Sequence, residues 1–478
     1  MLVQFSVKNF MSFDTEQVLS MVATESDPQH PSHLVPGEAH KGGTALRAVA
    51  LYGPNASGKS NLVKAIALAR DLIVNGRRGE QATGMRPFRL GTKQADKFSK
   101  FEFVVRTQGN LYNYGFRLSA RRVEEEWLYA TLNKREVVLF QRTTADTGEV
   151  VVEPGPEMRG QSKEQAQFLR FIAQGMKPNQ LFLTEANEKN VAVLEPLASW
   201  FSNSLVLIEA EPRAEGLEII AHEDNTLTGF LSSILQAAGT GISAVETEEV
   251  PFILARGIPD MPEEQREDLL NKLSKADDNA IAQVEVSDGR RYFLQKKADG
   301  NIVRVRLRMQ HQTEQGKSVY FTMEEESDGT QRLIHLVPAL QMLKNALEIT
   351  VILDELDRRF HPHLSRMFLQ AALDCDPQHT QSQLIFTTHD TNLLDLDLLR
   401  RDEIWFVEKD ARGASSLYSL AEFKVRPDLQ IEKGYLNGRF GAIPFISDIN
   451  HLGWTAGPNQ EQDQDSNNET AAPAGSKA

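Results

Sequence analysis

A single cysteine, Cys375, stands in 478 residues, so no intramolecular disulfide framework exists and a reducing compartment is expected. Its neighbours Ala371, Ala372 and Leu373 read as an inert thiol on a buried helix. Apolar runs long enough to span a bilayer, about 20 residues, are also lacking. The chain opens with Val3, Phe5 and Val7 alternating with Gln4, Ser6 and Lys8, a half-buried strand and not a signal peptide. The expected location is therefore cytoplasmic, with no membrane partner. Positive charge is in deficit: 52 Lys and Arg face 66 Asp and Glu, a formal net charge of −14. The average field repels nucleic acid, so any such contact needs a local basic patch. No sustained heptad run is present, which excludes long coiled-coil arms, and no internal repeat is seen.

What is there divides into four stretches. Residues 1–153 contain the buried strand Ala48 to Tyr52, a Gly-rich loop, a helix with Leu62, Ile66, Ala69 and Ile73 on one face, and alternating runs that predict an antiparallel β lobe. Residues 154–300 read as a mostly helical insertion, in which Leu269, Leu270 and Leu273 form an apolar stripe on a charged segment. Residues 301–456 return to strands and helices. Residues 457–478 carry almost no large apolar side chain and are expected to be a disordered tail.

Four motifs carry chemistry. In Gly53-Pro-Asn55-Ala-Ser57-Gly58-Lys59-Ser60, glycines let successive backbone N–H groups face phosphates at a helix N-terminus. Lys59 supplies a point charge, and the Ser60 hydroxyl is a ligand for Mg²⁺. The apolar strand Ile349 to Leu353 ends in Asp354-Glu355, which predicts Asp354 as a Mg²⁺ holder and Glu355 as the base that polarises water. Ser327-Asp328-Gly329 opens an amphipathic helix. As a bare N-cap it is unremarkable; before the Asp-Glu strand it reads as a site for the γ-phosphate bound by another subunit. His389, closing the strand Leu384 to Thr388, reads as a γ-phosphate sensor, although a lone histidine at a strand end is more often structural. Each of the last three motifs is weak alone; their order is specific.

That order resembles the ABC ATPase heads of the chromosome-maintenance and recombination-repair class. More closely, MLVQFSVKNFMSF, LYGPNASGKS, EESDGTQRL, ILDELDRRFHP, TTHDTNLLD and YLNGRFGAIPF resemble a family of bacterial AAA-type ATP-binding proteins whose members often accompany abortive-infection and retron defence operons. The resemblance implies an α/β P-loop NTPase of ABC-head type, ATP and Mg²⁺ as ligands, and hydrolysis in a homodimer sandwich or a higher homo-oligomer. It also implies a separate effector protein. ABC transporters carry two glycines after the signature serine, whereas Asp328 occupies the first here. No glutamine stands out for the γ-phosphate-sensing loop. Asp357 resembles the loop residue that crosses to the opposite site, and His361-Pro362-His363 resembles the family's extension; a metal reading of those histidines lacks further ligands.

Three functions compete. The first is a sensor or scaffold of an antiviral defence system that holds or releases a toxic effector. The second is an ATPase fused to a Toprim nuclease, for which Val407-Glu408-Lys409-Asp410 is a faint start with too little chain after it. The third is a DNA-repair motor. Nucleic-acid binding stays open, because Arg304, Arg306 and Arg308 share one face of a strand, although a solvated face is the blander reading.

Overall fold

The computed structural model describes residues 1–25, 27–91, 98–159, 163–210, 216–252, 263–277, 280–285, 291–345, 348–374, 380–424 and 430–443. Cys375, the side chain of Leu270 and the segment 457–478 lie outside the described residues, so the readings made there stand as expectations.

The chain begins with β1 (Leu2–Lys8), β2 (Gln17–Ser20) and β3 (Ala48–Tyr52), and the Gly-rich loop leads into α1 (Lys59–Asn75). The lobe follows as β4 (Ser99–Thr107), β5 (Asn110–Leu118), β6 (Val123–Leu132), β7 (Arg135–Thr144) and β8 (Val150–Pro154). After several short helices come β9 (Leu205–Ile208), α2 (Asn225–Ala237), β10 (Ile242–Pro251), β11 (Ile281–Glu285), β12 (Arg291–Lys296), β13 (Ile302–Gln312) and β14 (Ser318–Phe321). The C-terminal part holds α3 (Asp328–Asn345), β15 (Thr350–Leu353), α4 (Pro362–Leu373), β16 (Gln383–Thr387), β17 (Ile404–Lys409) and β18 (Ser415–Ser419).

The central sheet has the order β9-β15-β16-β3-β17-β18. Its first five strands are parallel, and β18 returns antiparallel to β17. Strands buried on both faces must be apolar throughout, and the two sets of side chains along β3 go to different cores. Val49 and Leu51 pack with α1 and the lobe; Ala48, Ala50 and Tyr52 pack with α2, α3 and α4. The lobe is an antiparallel sheet of order β8-β7-β6-β5-β4-β1-β2. Its inward aromatics Phe5, Phe101, Phe103, Tyr114 and Phe116 are fully buried, each adding about 1.5–3 kcal/mol by leaving water.

Within 154–300 the helical expectation describes the first part, up to α2, but two features differ. Leu205–Ile208 joins the central sheet, pairing parallel with β15, so this stretch supplies a strand of the main core. Residues 242–296 add β10, β11 and β12 to an antiparallel sheet with β13. The apolar alternation of β10 is masked by Glu246, Glu248 and Glu249, whose partners across the ladder are cationic or apolar: Glu246 faces Arg308 and Glu248 faces Arg306. A pattern search on one strand cannot see compensation supplied by another. The arginine stripe of β13 is correspondingly spoken for, with Arg306 2.6 Å and Arg308 2.8 Å from Glu248. Val407, Glu408 and Lys409 belong to β17, hydrogen-bonded between β3 and β18, which makes them part of the central sheet and removes the faint Toprim start.

A candidate nucleotide site at the end of the parallel sheet

Parallel strands bring their C-terminal ends to one edge, where ligands bind in open α/β sheets. Here that edge carries the loop 53–58 after β3, Asp354-Glu355 after β15, and Thr388-His389 after β16. The loop needs glycine at both ends. Gly53 has φ 154° and a Cβ there would sit 2.3 Å from the Val407 carbonyl oxygen. Gly58 has φ 118° and a Cβ would meet the Ser415 hydroxyl at 2.4 Å. Asn55 is exposed at the loop tip, and Ser57 is buried with its hydroxyl lacking a hydrogen-bond partner. A cradle of curled backbone with an orphaned buried hydroxyl fits a bound phosphate chain.

Lys59 opens α1 and folds back, its Nζ donating to the carbonyls of Gly53 at 2.6 Å and Pro54 at 3.2 Å. His389 Nδ1 lies 3.4 Å from the same Nζ. Burial lowers the Lys59 pKa to about 8, with Asp357, Asp354 and Glu355 pulling it back up. His389 is also lowered, first by burial and then by the Lys59 charge. Its backbone N–H donates to the Asp357 carboxylate at 3.2 Å. So Asp357, compared above with a residue that crosses to the opposite site, holds the histidine loop of its own chain.

Ser60 donates to Asp354 at 3.1 Å, and Thr387 of β16 donates to the same carboxylate oxygen at 2.6 Å. Asp354 is 8% exposed. This hydroxyl–carboxylate pair is an all-oxygen donor set of the kind Mg²⁺ selects. Glu355 takes the left-handed conformation, φ 54°, which a non-glycine residue keeps only when its surroundings hold it. Two contacts do so: its N–H donates to Thr387 Oγ1 at 2.7 Å, and its carbonyl accepts from the Arg332 guanidinium. Its carboxylate pairs with Arg358 at 3.2 Å.

Ser327 and Gly329 lie at the start of α3, where the contacts of each are with α3 itself and with the loop after Glu355. The Ser327 hydroxyl accepts the Thr330 N–H at 3.2 Å, an N-cap. Gly329 faces the Arg359 carbonyl, which a Cβ would meet at 3.0 Å. His361 is the N-cap of α4, its Nδ1 accepting the His363 N–H at 3.3 Å.

Sequence reasoning gave Thr387, Arg332 and Ser12 no role of their own. Ser12 accepts from Asn61 at 2.8 Å, and its carbonyl accepts the Ser415 N–H at 2.7 Å. Beside it opens a cavity of about 610 Å³ lined by Met11, Ser12, Phe88, Arg89, Leu90 and Lys409, among others. Only the polar Ser12 after the apolar Phe10-Met11 hinted at this, and a turn serine gives no hint of its neighbours.

A model of the family described as "AAA domain, putative AbiEii toxin, Type IV TA system" matches residues 48–395. The chain belongs to this AAA-domain family. The matched span takes in the phosphate loop, the Ser327 helix, Asp354-Glu355 and His389. Among solved structures the chain is similar to an SMC head bound to the C-winged helix domain of ScpA, at 13% identity, covering 87% of this chain and 97% of that one with a TM-score of 0.39. The SMC head domain from Thermotoga maritima matches at 13% identity, 87% and 98% coverage and a TM-score of 0.35. The recombination mediator RecF with ATPrS matches at 14% identity, 87% and 98% coverage and a TM-score of 0.36. Likenesses this distant carry no functional weight, and the fold rests on the family match and the chain's own strand order. No curated protein matches the chain. Among the described residues no helix is long and apolar enough to cross a membrane.

Proposed function

We propose that this AAA-family chain hydrolyses ATP with Mg²⁺ in a composite site formed by two copies. The carrying observation is the convergence of Lys59, Ser60, Asp354, Thr387, Glu355 and His389, drawn from three strands of one sheet edge. Phosphates lie along the loop from Gly53 to Gly58, with Asn55, Ser57 and Lys59 turned to them. Ser60 and Asp354 would hold Mg²⁺, which would neutralise phosphate charge. Glu355 takes the proton of the attacking water, and His389 donates to the transferred phosphoryl group. The base and ribose occupy the cavity beside Met11, Ser12 and Phe88. Ser327 and Gly329, at the start of α3, serve the nucleotide of the second copy.

The chain's place in biology is proposed as the sensor or scaffold of an antiviral defence system with a separate effector. The family description, with its toxin and Type IV TA wording, supports a toxin–antitoxin setting; the separate effector rests on the sequence resemblance alone. A DNA-directed alternative loses its main support, since Arg306 and Arg308 are engaged by Glu248 and Glu246.

The test of the site pairs two variants. Lys59→Ala is expected to lose nucleotide binding, read by fluorescent-nucleotide titration. Glu355→Gln is expected to bind ATP as before and to turn over about 10²–10⁴-fold more slowly. Wild-type turnover in Glu355→Gln moves the base elsewhere, with His389 next in line.

A further inference from the structure

The residues after Glu355 form a short loop with two adjacent arginines, each on a different carboxylate. Arg358 pairs with Glu355 at 3.2 Å, and Arg359 pairs with Asp328 at 3.4 Å. Asp328 is the first residue of α3 and stands where ABC transporters carry glycine. A carboxylate there opposes any anion approaching the helix N-terminus, where the peptide dipoles otherwise favour one. The loop is held in an unusual shape at both ends, with Glu355 at φ 54° and Arg359 at φ 63°. A third guanidinium, Arg332 of α3, donates to the Glu355 carbonyl and to the Ala210 carbonyl. It is 5% exposed, with its Nε unpartnered. Burial and the neighbouring Arg358 lower its pKa to about 10. Helix α3 and the base are thus mechanically joined by Arg332 and electrostatically joined by the Arg358-Arg359 pair.

We infer that Arg358 and Arg359 form a two-pronged latch that restrains Glu355 until a phosphate carried by a second copy engages the start of α3. The inference rests on the trans-acting role of Ser327 proposed above. A carboxylate oxygen that accepts from Arg358 is not free to accept from water. An arriving phosphate competes with Asp328 for Arg359. Because the two arginines are consecutive, moving Arg359 moves Arg358 off Glu355. The prongs are half-exposed and individually weak, so the latch is a modulator and not a lock. Arg358, Arg359 and Asp328 are positioning residues in this scheme, and Glu355 remains the base.

The experiment is ATP turnover of the full chain over a protein dilution series, with self-association followed in parallel by light scattering. Arg358→Gln is expected to raise turnover at low protein concentration about two- to five-fold. It should also flatten the concentration dependence, with ATP-driven association unmoved. Asp328→Asn removes the other prong's partner without removing a cation and is expected to shift turnover in the same direction. Arg358→Lys restores the wild-type dependence in part, and adding Glu355→Gln abolishes the gain. Unchanged or lower turnover in dilute Arg358→Gln, with the wild-type concentration dependence retained, overturns the latch. A failure of the underlying dimer reading looks different: wild-type turnover is then independent of concentration, and no variant alters its slope.

Discussion

Lys59 shows how far one side chain's environment sets its behaviour. Its ammonium is turned onto the loop's own carbonyls, and burial lowers its pKa from the ordinary 10.5 to about 8. The unfolded chain therefore holds more protons than the native one between those values, so stability without nucleotide rises with pH across that window. Nucleotide affinity runs the other way. Phosphates need the charged amine, so affinity is expected to fall above pH 8, by at most about tenfold per pH unit. Titrations at pH 7, 8, 9 and 10 check this. Lys59→Arg, if it binds at all, should show no such fall, because guanidinium stays charged. The identity of Lys59 was plain from its spacing after Gly53 and Gly58. Its proximity to His389 was not, since the two are 330 positions apart.

At the scale of elements, α3 has two roles to separate. Its start is an ordinary N-cap, with the Ser327 hydroxyl accepting from Thr330. Losing such a cap costs about 1 kcal/mol. Ser327→Ala is expected to lower Tm by a few degrees and also to cut ATP turnover severely, since the proposal has the same hydroxyl meet a partner's phosphate. Calorimetry and turnover measured on one preparation decide: a loss of Tm alone leaves Ser327 as a cap. The sequence carried both readings because an N-cap and an anion site use the same atoms. Strand β10 is the contrasting case. It lies in a stretch read as mostly helical, and its Glu246 and Glu248 are matched by arginines across the ladder.

For the whole molecule the decisive question is whether two copies share a site. Mixing Lys59→Ala subunits with Ser327→Arg subunits gives mixed dimers with one doubly broken site and one intact site. Partial recovery of turnover is expected over either variant alone, provided subunits exchange and one site suffices. No recovery at any ratio, with mixed dimers shown to form, means that Ser327 does not act in trans. The Arg358 measurements can overturn the latch without touching this claim, whereas no recovery here removes the ground on which the latch stands.

The residue order by itself determined the phosphate loop, the Asp354-Glu355 strand end, the buried apolar core strands and the antiparallel lobe. These follow from local rules: glycines where backbone must curl, runs of buried apolar residues, and alternation along a pleat. Tertiary structure alone decided that Thr387 bridges Asp354 and Glu355, that Leu205–Ile208 completes the central sheet, and that Glu248 engages the β13 arginines. It also placed Arg358 and Arg359 on carboxylates of two different elements. The physical reason is register. Which side chains meet depends on how strands distant in the chain align, and a one-residue slip turns every side chain to the opposite face.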